Sequence, residues 1–340
     1  MSATKKRNTT IDLLRVIAII TLVIEHTIGS DSKGGMQIEY PSFMRHIYLY
    51  TNYYGIPLFS AISGYVYAMR PAISFKDHFI SKFKRLMQPA LSVGIIYFLI
   101  QYITPNTNVQ RELSDIWEIF IYPYTYFWFL PSLFLTMLLQ YGIDKFKLNN
   151  SLTRSLIILA IALLCKVGIN NGIIEGTPNF FSYQGAIGIF VFFNLGYIIF
   201  KYGKNIPKVA YTIIGIISIV FSVVLLENTW LNNMGNRDYL LYNCVSPILI
   251  CGLLLFLLKI TIPTKYLHKA ANYTMGIYLF HGFGTSGGRI MLRMLSVENE
   301  MIILVVSSIL AILISVIGVL IIRKTSFTAS ILLGEKRHKS

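Results

Sequence analysis

Charge is scarce in these 340 residues. Asp, Glu, Lys and Arg make up 13% of the chain, about half the share of a soluble domain. That shortage excludes an ordinary water-soluble enzyme. Hydrophobic residues at 54% and a mean hydropathy of +0.60 exclude a disordered chain as well. Acids are scarcer than bases, 15 against 30, which leaves a net charge of +15. In a soluble protein that excess would suggest nucleic acid; here the positions of the bases give another reason for it, and no nucleic-acid partner is expected. Cysteine is nearly missing. Cys165, Cys244 and Cys251 are odd in number and all lie in apolar stretches, so no disulfide framework is implied and core packing is expected of them. The six histidines lack metal-ligand spacing, and no metal is expected.

What the chain has in quantity is apolar runs near the ~20 residues that cross a bilayer. They cover roughly 11–29, 53–69, 87–104, 124–143, 154–171, 184–200, 208–226, 239–258, 271–292 and 300–322. Helices are expected, because hydrocarbon offers no partner to a free backbone group and the runs lack barrel-strand alternation. Most of the bases fall in six blocks: Lys5-Lys6-Arg7 with Arg15, Arg70 to Arg85, Lys145 to Arg154, Lys201 to Lys208, Lys259 to Lys269, and Arg323 to Lys339. The alternate connections carry most of the acids. By the positive-inside rule the six blocks are cytoplasmic, which requires ten spans. The first run keeps Asp12, Arg15, Glu25 and His26 and has no small-residue cleavage site, so it reads as a span rather than a signal peptide. The prediction is an all-α polytopic membrane protein of the cytoplasmic (inner) membrane. It is a bundle of about ten transmembrane helices with both termini cytoplasmic. Residues 1–340 form a single transmembrane domain with no soluble domain appended.

Ionisable groups inside a span mark a functional site by default. Arg15 and His26 are eleven residues apart, which brings them within about 20° on one helix face and about 16–17 Å apart along the axis. Asp12 shares that side. Arg15 reads either as a snorkelling residue or as an anion anchor, and His26 as a satisfied buried histidine or a general base. Glu25, adjacent in sequence, faces elsewhere; a histidine on another helix is the partner it could orient. His281 lies about 18 Å from the basic end of its span, a depth close to that of His26. The glycines that follow it, Gly282, Gly284, Gly287 and Gly288, would permit close backbone approach or a broken helix. Ser63 reads as helix packing or as an acyl-accepting nucleophile, and Trp128 as an interfacial ring or a tunnel wall.

Five ordered elements then make the chain recognisable. They are Ile11-Asp12-Leu13-Leu14-Arg15 with His26 after ten more residues; Pro57-Leu58-Phe59-Ser60-Ala61-Ile62-Ser63-Gly64-Tyr65; Lys82-Phe83-Lys84-Arg85-Leu86 leading to Pro89; Trp128-Phe129-Leu130; and Ile277-Tyr278-Leu279-Phe280-His281. With these, the whole chain resembles the integral membrane acyltransferase-3 family, which O-acetylates bacterial surface glycans. The resemblance implies a membrane O-acyltransferase with acetyl-CoA as donor substrate, no bound cofactor, and a surface glycan or lipid-linked saccharide as acceptor. Membrane lipids surround it, and a homo-oligomer is left open. His26 would be the general base with Glu25 beside it. Arg15, Lys82, Lys84 and Arg85 would hold the acyl-CoA, and His281, Ser63, Trp128 and Tyr278 would belong to the pocket. The family's Arg-x-x-Arg is here Lys82-x-x-Arg85, which keeps the charge but loses a bidentate fork. The competing reading is a transporter or flippase of a glycan or lipid-linked sugar. Acetyl-CoA dependence separates the two.

Overall fold

The computed structural model describes residues 9–30, 34–72, 74–233, 239–258 and 265–335. Lys5-Lys6-Arg7, Lys259, His338 and Lys339 lie outside the described residues. Among those described there is no β-strand. The helices are α1 (Thr9–Ile28), α2 (Phe43–Met69), α3 (Phe75–Lys82), α4 (Gln88–Ile103), α5 (Phe129–Lys145), α6 (Leu152–Asn170), α7 (Tyr183–Tyr202), α8 (Lys208–Asn233), α9 (Tyr239–Leu258), α10 (Lys265–Ala271), α11 (Thr274–Met294), α12 (Glu300–Ile322) and α13 (Ser326–Leu333). A π turn, Phe83–Met87, joins α3 to α4, and short 3-10 segments at Leu113–Phe120 and Thr125–Trp128 lead into α5.

Each of the ten apolar segments falls on a helix. Among the described residues six helical stretches have both the length and the hydropathy to cross a membrane: Phe75–Ile103, Leu113–Lys145, Leu152–Asn170, Phe180–Tyr202, Lys208–Asn228 and Glu300–Ile322. Helices α1, α2 and α11 carry the charged and polar residues that form the site below. Two departures from the sequence reading are the largest. Helix α2 begins ten residues earlier than expected, where Ser42 caps it by accepting from the Arg45 N–H. The segment after α12 folds into α13, capped by Thr325.

The bundle's outer surface is apolar. On α12 the residues Ile302, Val305, Ile309, Leu313, Ile317 and Leu320 are exposed, a stripe that water would not tolerate and lipid does. The same logic corrects the cysteines. Cys165 of α6 and Cys244 of α9 are exposed rather than packed in the core. Apolar composition alone cannot tell a lipid face from a protein face.

Small residues set the closest helix contacts. Gly64 of α2 abuts the backbone of Phe193 on α7, and Gly196 of α7 abuts the backbone of Ala61, so a Cβ at either glycine would collide with main chain. Gly284 and Gly288 of α11 pack in the same way on Ala311 and Ser307 of α12. Between apolar helices in lipid, such close approach supplies the packing attraction that the hydrophobic effect does not. Helix α1 lies inside this frame, touching α2, α10, α11 and α12.

The two ends of the bundle differ. At the basic end Asp12 meets Arg15 at 3.6 Å and His268 at 2.6 Å, and Arg323 reaches Glu335 and the Asn272 carbonyl. The loops at the other end interlock. Asn108 donates to the Gly35 carbonyl at 3.1 Å, and Arg293 donates to Gln37 and to the Met36 carbonyl.

Candidate active site

Helix α1 stops at Ile28 because Gly29 takes φ +89°, a left-handed conformation that closes the helix with its N–H on the Glu25 carbonyl. The chain then folds back, the Met36 N–H returning to the Ile28 carbonyl. A fully buried arginine, Arg45, fixes that return by donating to the carbonyls of Gly29 (2.6 Å) and Ile38 (2.8 Å). Its charge is solvated by backbone dipoles, and the last turn of α1 is held in place as a result.

On that turn His26 faces α11. His26 Nδ1 lies 2.7 Å from His281 Nε2, with the rings stacked at 4.9 Å between centroids. The other nitrogen of His281, Nδ1, lies 2.7 Å from the Tyr278 carbonyl and 3.1 Å from the Ile277 carbonyl. A carbonyl can only accept, so His281 Nδ1 carries the hydrogen. Neutral His281 then presents a bare Nε2, and His26 must donate to it from Nδ1–H. Neutral His26 is thereby left with its lone pair on Nε2. The pair is backed by Tyr126, whose ring centroid is 4.3 Å from that of His281 and 5.8 Å from that of His26. Tyr126 is held in turn: its hydroxyl donates to the Leu279 carbonyl, and Tyr278 donates to the Tyr126 carbonyl. Gly282 makes room for this ring, since a Cβ there would enter it.

His26, His281, Tyr126 and Gly282 line a cavity of about 510 Å³ at the end of the bundle opposite the basic one. Its floor has Glu25, His26 and His281, and its walls carry Tyr97, Tyr126 and Trp128. Gln101, Thr104, Asn108 and Ser286 add amides and hydroxyls, and Arg289 lies further along α11. Rings for stacking, neutral hydrogen-bonding groups and a proton-accepting imidazole suit a polar, hydroxyl-bearing molecule.

The candidates from sequence divide. The structure brings His26, Glu25, His281 and Trp128 to the cavity. Glu25 does so while its Oε2 packs against Gly55 of α2, where a Cβ would sit 2.8 Å away; the partner of His281 is therefore His26. Tyr278 is buried behind the wall, and Ser63 lies on α2; neither lines the cavity. Helix α11 is unbroken through the four glycines that follow His281, two of which, Gly284 and Gly288, serve the contact with α12.

The basic residues sit in two places. Arg15 shares Asp12 with His268 of α10. Lys82 ends α3, and Lys84 and Arg85 are exposed on the π turn, with the main chain of both against Gly334 after α13. The π turn has a local cause. Pro89 cannot donate to the Arg85 carbonyl, and the wider turn is closed instead by the Gln88 N–H on the Phe83 carbonyl. Between Arg15 and His26 the stripe is packed solid. Ile19 and Leu22 are buried in a cluster with Phe129, Ile277 and Tyr278.

Sequence reasoning missed Tyr97, Tyr126, Arg45 and Arg289. Only the last gave a signal: Arg289 is an ionisable residue inside an apolar segment, the same criterion that singled out Arg15. The aromatic residues are two among 22 Tyr, and nothing local distinguishes them.

Compared with known proteins, the chain matches the acyltransferase-3 family model, described as an acyltransferase domain, over residues 8–322. No curated protein and no solved structure matches it.

Proposed function

Because the chain belongs to the acyltransferase-3 family and is a multi-pass membrane acyltransferase, we propose that it O-acylates a glycan across the membrane. The donor in this reading is a cytoplasmic acyl-CoA, acetyl-CoA first among them, and the acceptor a hydroxyl of a cell-surface or lipid-linked glycan. The protein crosses the cytoplasmic membrane ten times, with both termini and the basic end inside. The cavity then opens outward, toward the acceptor.

One observation carries the reading: the His26–His281 pair on the cavity floor. His281 is anchored to backbone carbonyls and accepts a hydrogen bond from His26 Nδ1–H, which leaves the lone pair of His26 Nε2 to act as the general base of the cavity. The acceptor hydroxyl gives its proton to Nε2 as its oxygen attacks the thioester carbonyl. His26 is then an imidazolium with both nitrogens protonated, and its Nδ1–H still donates to His281. Collapse of the tetrahedral intermediate expels the CoA thiolate, which takes the proton from His26 Nε2 as the ester forms, so that His26 returns to its neutral state. General-base assistance of this kind is worth about 10²–10⁴-fold.

On the inner side, Arg15, Lys82, Lys84 and Arg85 offer charge-assisted hydrogen bonds to the phosphates of CoA. The packed stripe of Ile19 and Leu22 has to part for the pantetheine arm to bring its thioester to His26. His26→Ala should abolish O-acylation, read as CoA release from acyl-CoA plus acceptor, while membrane abundance of the protein stays at the wild-type level. Retained acylation by that variant would remove His26 from the chemistry. Absence of acceptor-dependent CoA release from the wild type would sink the acyltransferase reading.

A further inference from the structure

We infer that Arg289 is a recognition site for an anionic group on the acceptor, so that the molecule acylated here is a saccharide that bears a carboxylate or a phosphate rather than an uncharged one. The inference rests on the acyl-transfer reading of the same cavity and adds the chemical class of its acceptor.

Arg289 lies eight residues beyond His281 on α11, about 12 Å further along the axis, and Thr285 between them lines the same cavity. It is only 5% exposed. Among the described residues it makes no hydrogen bond and no ion pair. A guanidinium withdrawn from water is costly unless its five donors are met. Its neighbours do not meet them. Arg293, one turn on, is another cation, already engaged by Gln37 and the Met36 carbonyl. Tyr97 is a neutral phenol.

The contrast with the chain's other buried arginine is informative. Arg45 has its charge satisfied by the carbonyls of Gly29 and Ile38 and is structural. Arg289 has only the cavity to serve. Glu25 is the one carboxylate lining that cavity among the described residues, and it packs against Gly55 at the level of His26. The upper cavity therefore combines a cation in need of an anion with neutral amides, hydroxyls and aromatic rings, a set suited to a sugar that bears a carboxylate or a phosphate. Two sources present such an anion: a uronate residue of the glycan, and the diphosphate of a polyprenyl-linked sugar.

The test is binding to the full chain in lipid nanodiscs, read from tryptophan fluorescence, since Trp128 lines the cavity. Three probes are compared: an oligogalacturonate, its neutral carboxyl-reduced counterpart, and a polyprenyl-diphosphate-linked sugar. Wild type should bind one anionic probe at least about tenfold more tightly than the neutral one, and the probe it prefers identifies the source. Arg289→Gln should erase that preference, and Arg289→Lys should keep part of it. His26→Ala should retain the preference while losing transfer, which separates failure of this inference from failure of the catalytic reading. Equal binding of charged and neutral probes by the wild type, binding of neither, or an unchanged preference in Arg289→Gln would each overturn it. The matched probes decide on the wild type alone if the variant does not fold.

Discussion

The two ends of α1 are built on opposite plans. At the basic end charge is either paired or left at the surface: Asp12 is shared by Arg15 and His268, while Lys84 and Arg85 are exposed on a π turn. At the other end polar groups are withdrawn into a cavity of about 510 Å³, where two imidazoles meet and a buried arginine has no partner among the described residues. The stretch between is neither. Ile19 and Leu22 are core residues. An exposed cation binds weakly because water and salt compete for it, whereas a group inside a low-dielectric cavity acts at full strength. On the proposed reading the contrast separates labile docking of a donor from fixed chemistry on an acceptor, with the packed stretch of Ile19 and Leu22 between them.

Three variants sharpen or break that contrast. The largest effect is expected at the cavity floor. His281→Ala removes the acceptor that holds the Nδ1 hydrogen of His26, and kcat for CoA release should fall by about 10²-fold with KM for acyl-CoA unchanged. A fall below about threefold would reduce the pair to packing. At the basic end, the double change Lys84→Ala and Arg85→Ala should raise KM for acyl-CoA by about three- to tenfold and leave kcat near wild type, since exposed pairs are screened. A loss in kcat instead would place those residues in the chemistry. The smallest effect is expected at Asp12→Asn, which breaks a pairing whose partners are each about a third exposed. Stability in thermal unfolding should drop by about 1–2 kcal/mol, with activity per folded protein retained.

Much of the fold was legible because a bilayer imposes one rule on every spanning segment. Apolar run length located ten segments, and each falls on a helix. Periodicity placed Asp12, Arg15 and His26 on one stripe, along which Ile19 and Leu22 also lie. It could not reveal that the stripe is packed shut, because that depends on Ile277, Tyr278 and Phe129 from other helices. The cysteines show the same limit, since hydropathy has no direction and Cys165 and Cys244 face outward. The candidate site was half legible. His26 and His281 stood out as polar groups at similar depths, but their contact crosses 255 positions and joins two helices. Ser63 and Tyr278 were drawn in by the motif around them, and a motif does not record which face lines a void.

The sequence by itself determined that this chain lives in lipid, that it is helical, and that its first helix carries charge at one end and an imidazole near the other. These follow from composition and the 3.6-residue repeat, which are local properties. Only the tertiary structure decided that His281 partners His26, that Glu25 turns toward α2, and that Arg45 is satisfied while Arg289 is not. Each of those depends on which helix lies beside which. That is set by close contacts of small residues, Gly64 on Phe193 and Gly284 on Ala311 among them, whose partners are far apart along the chain.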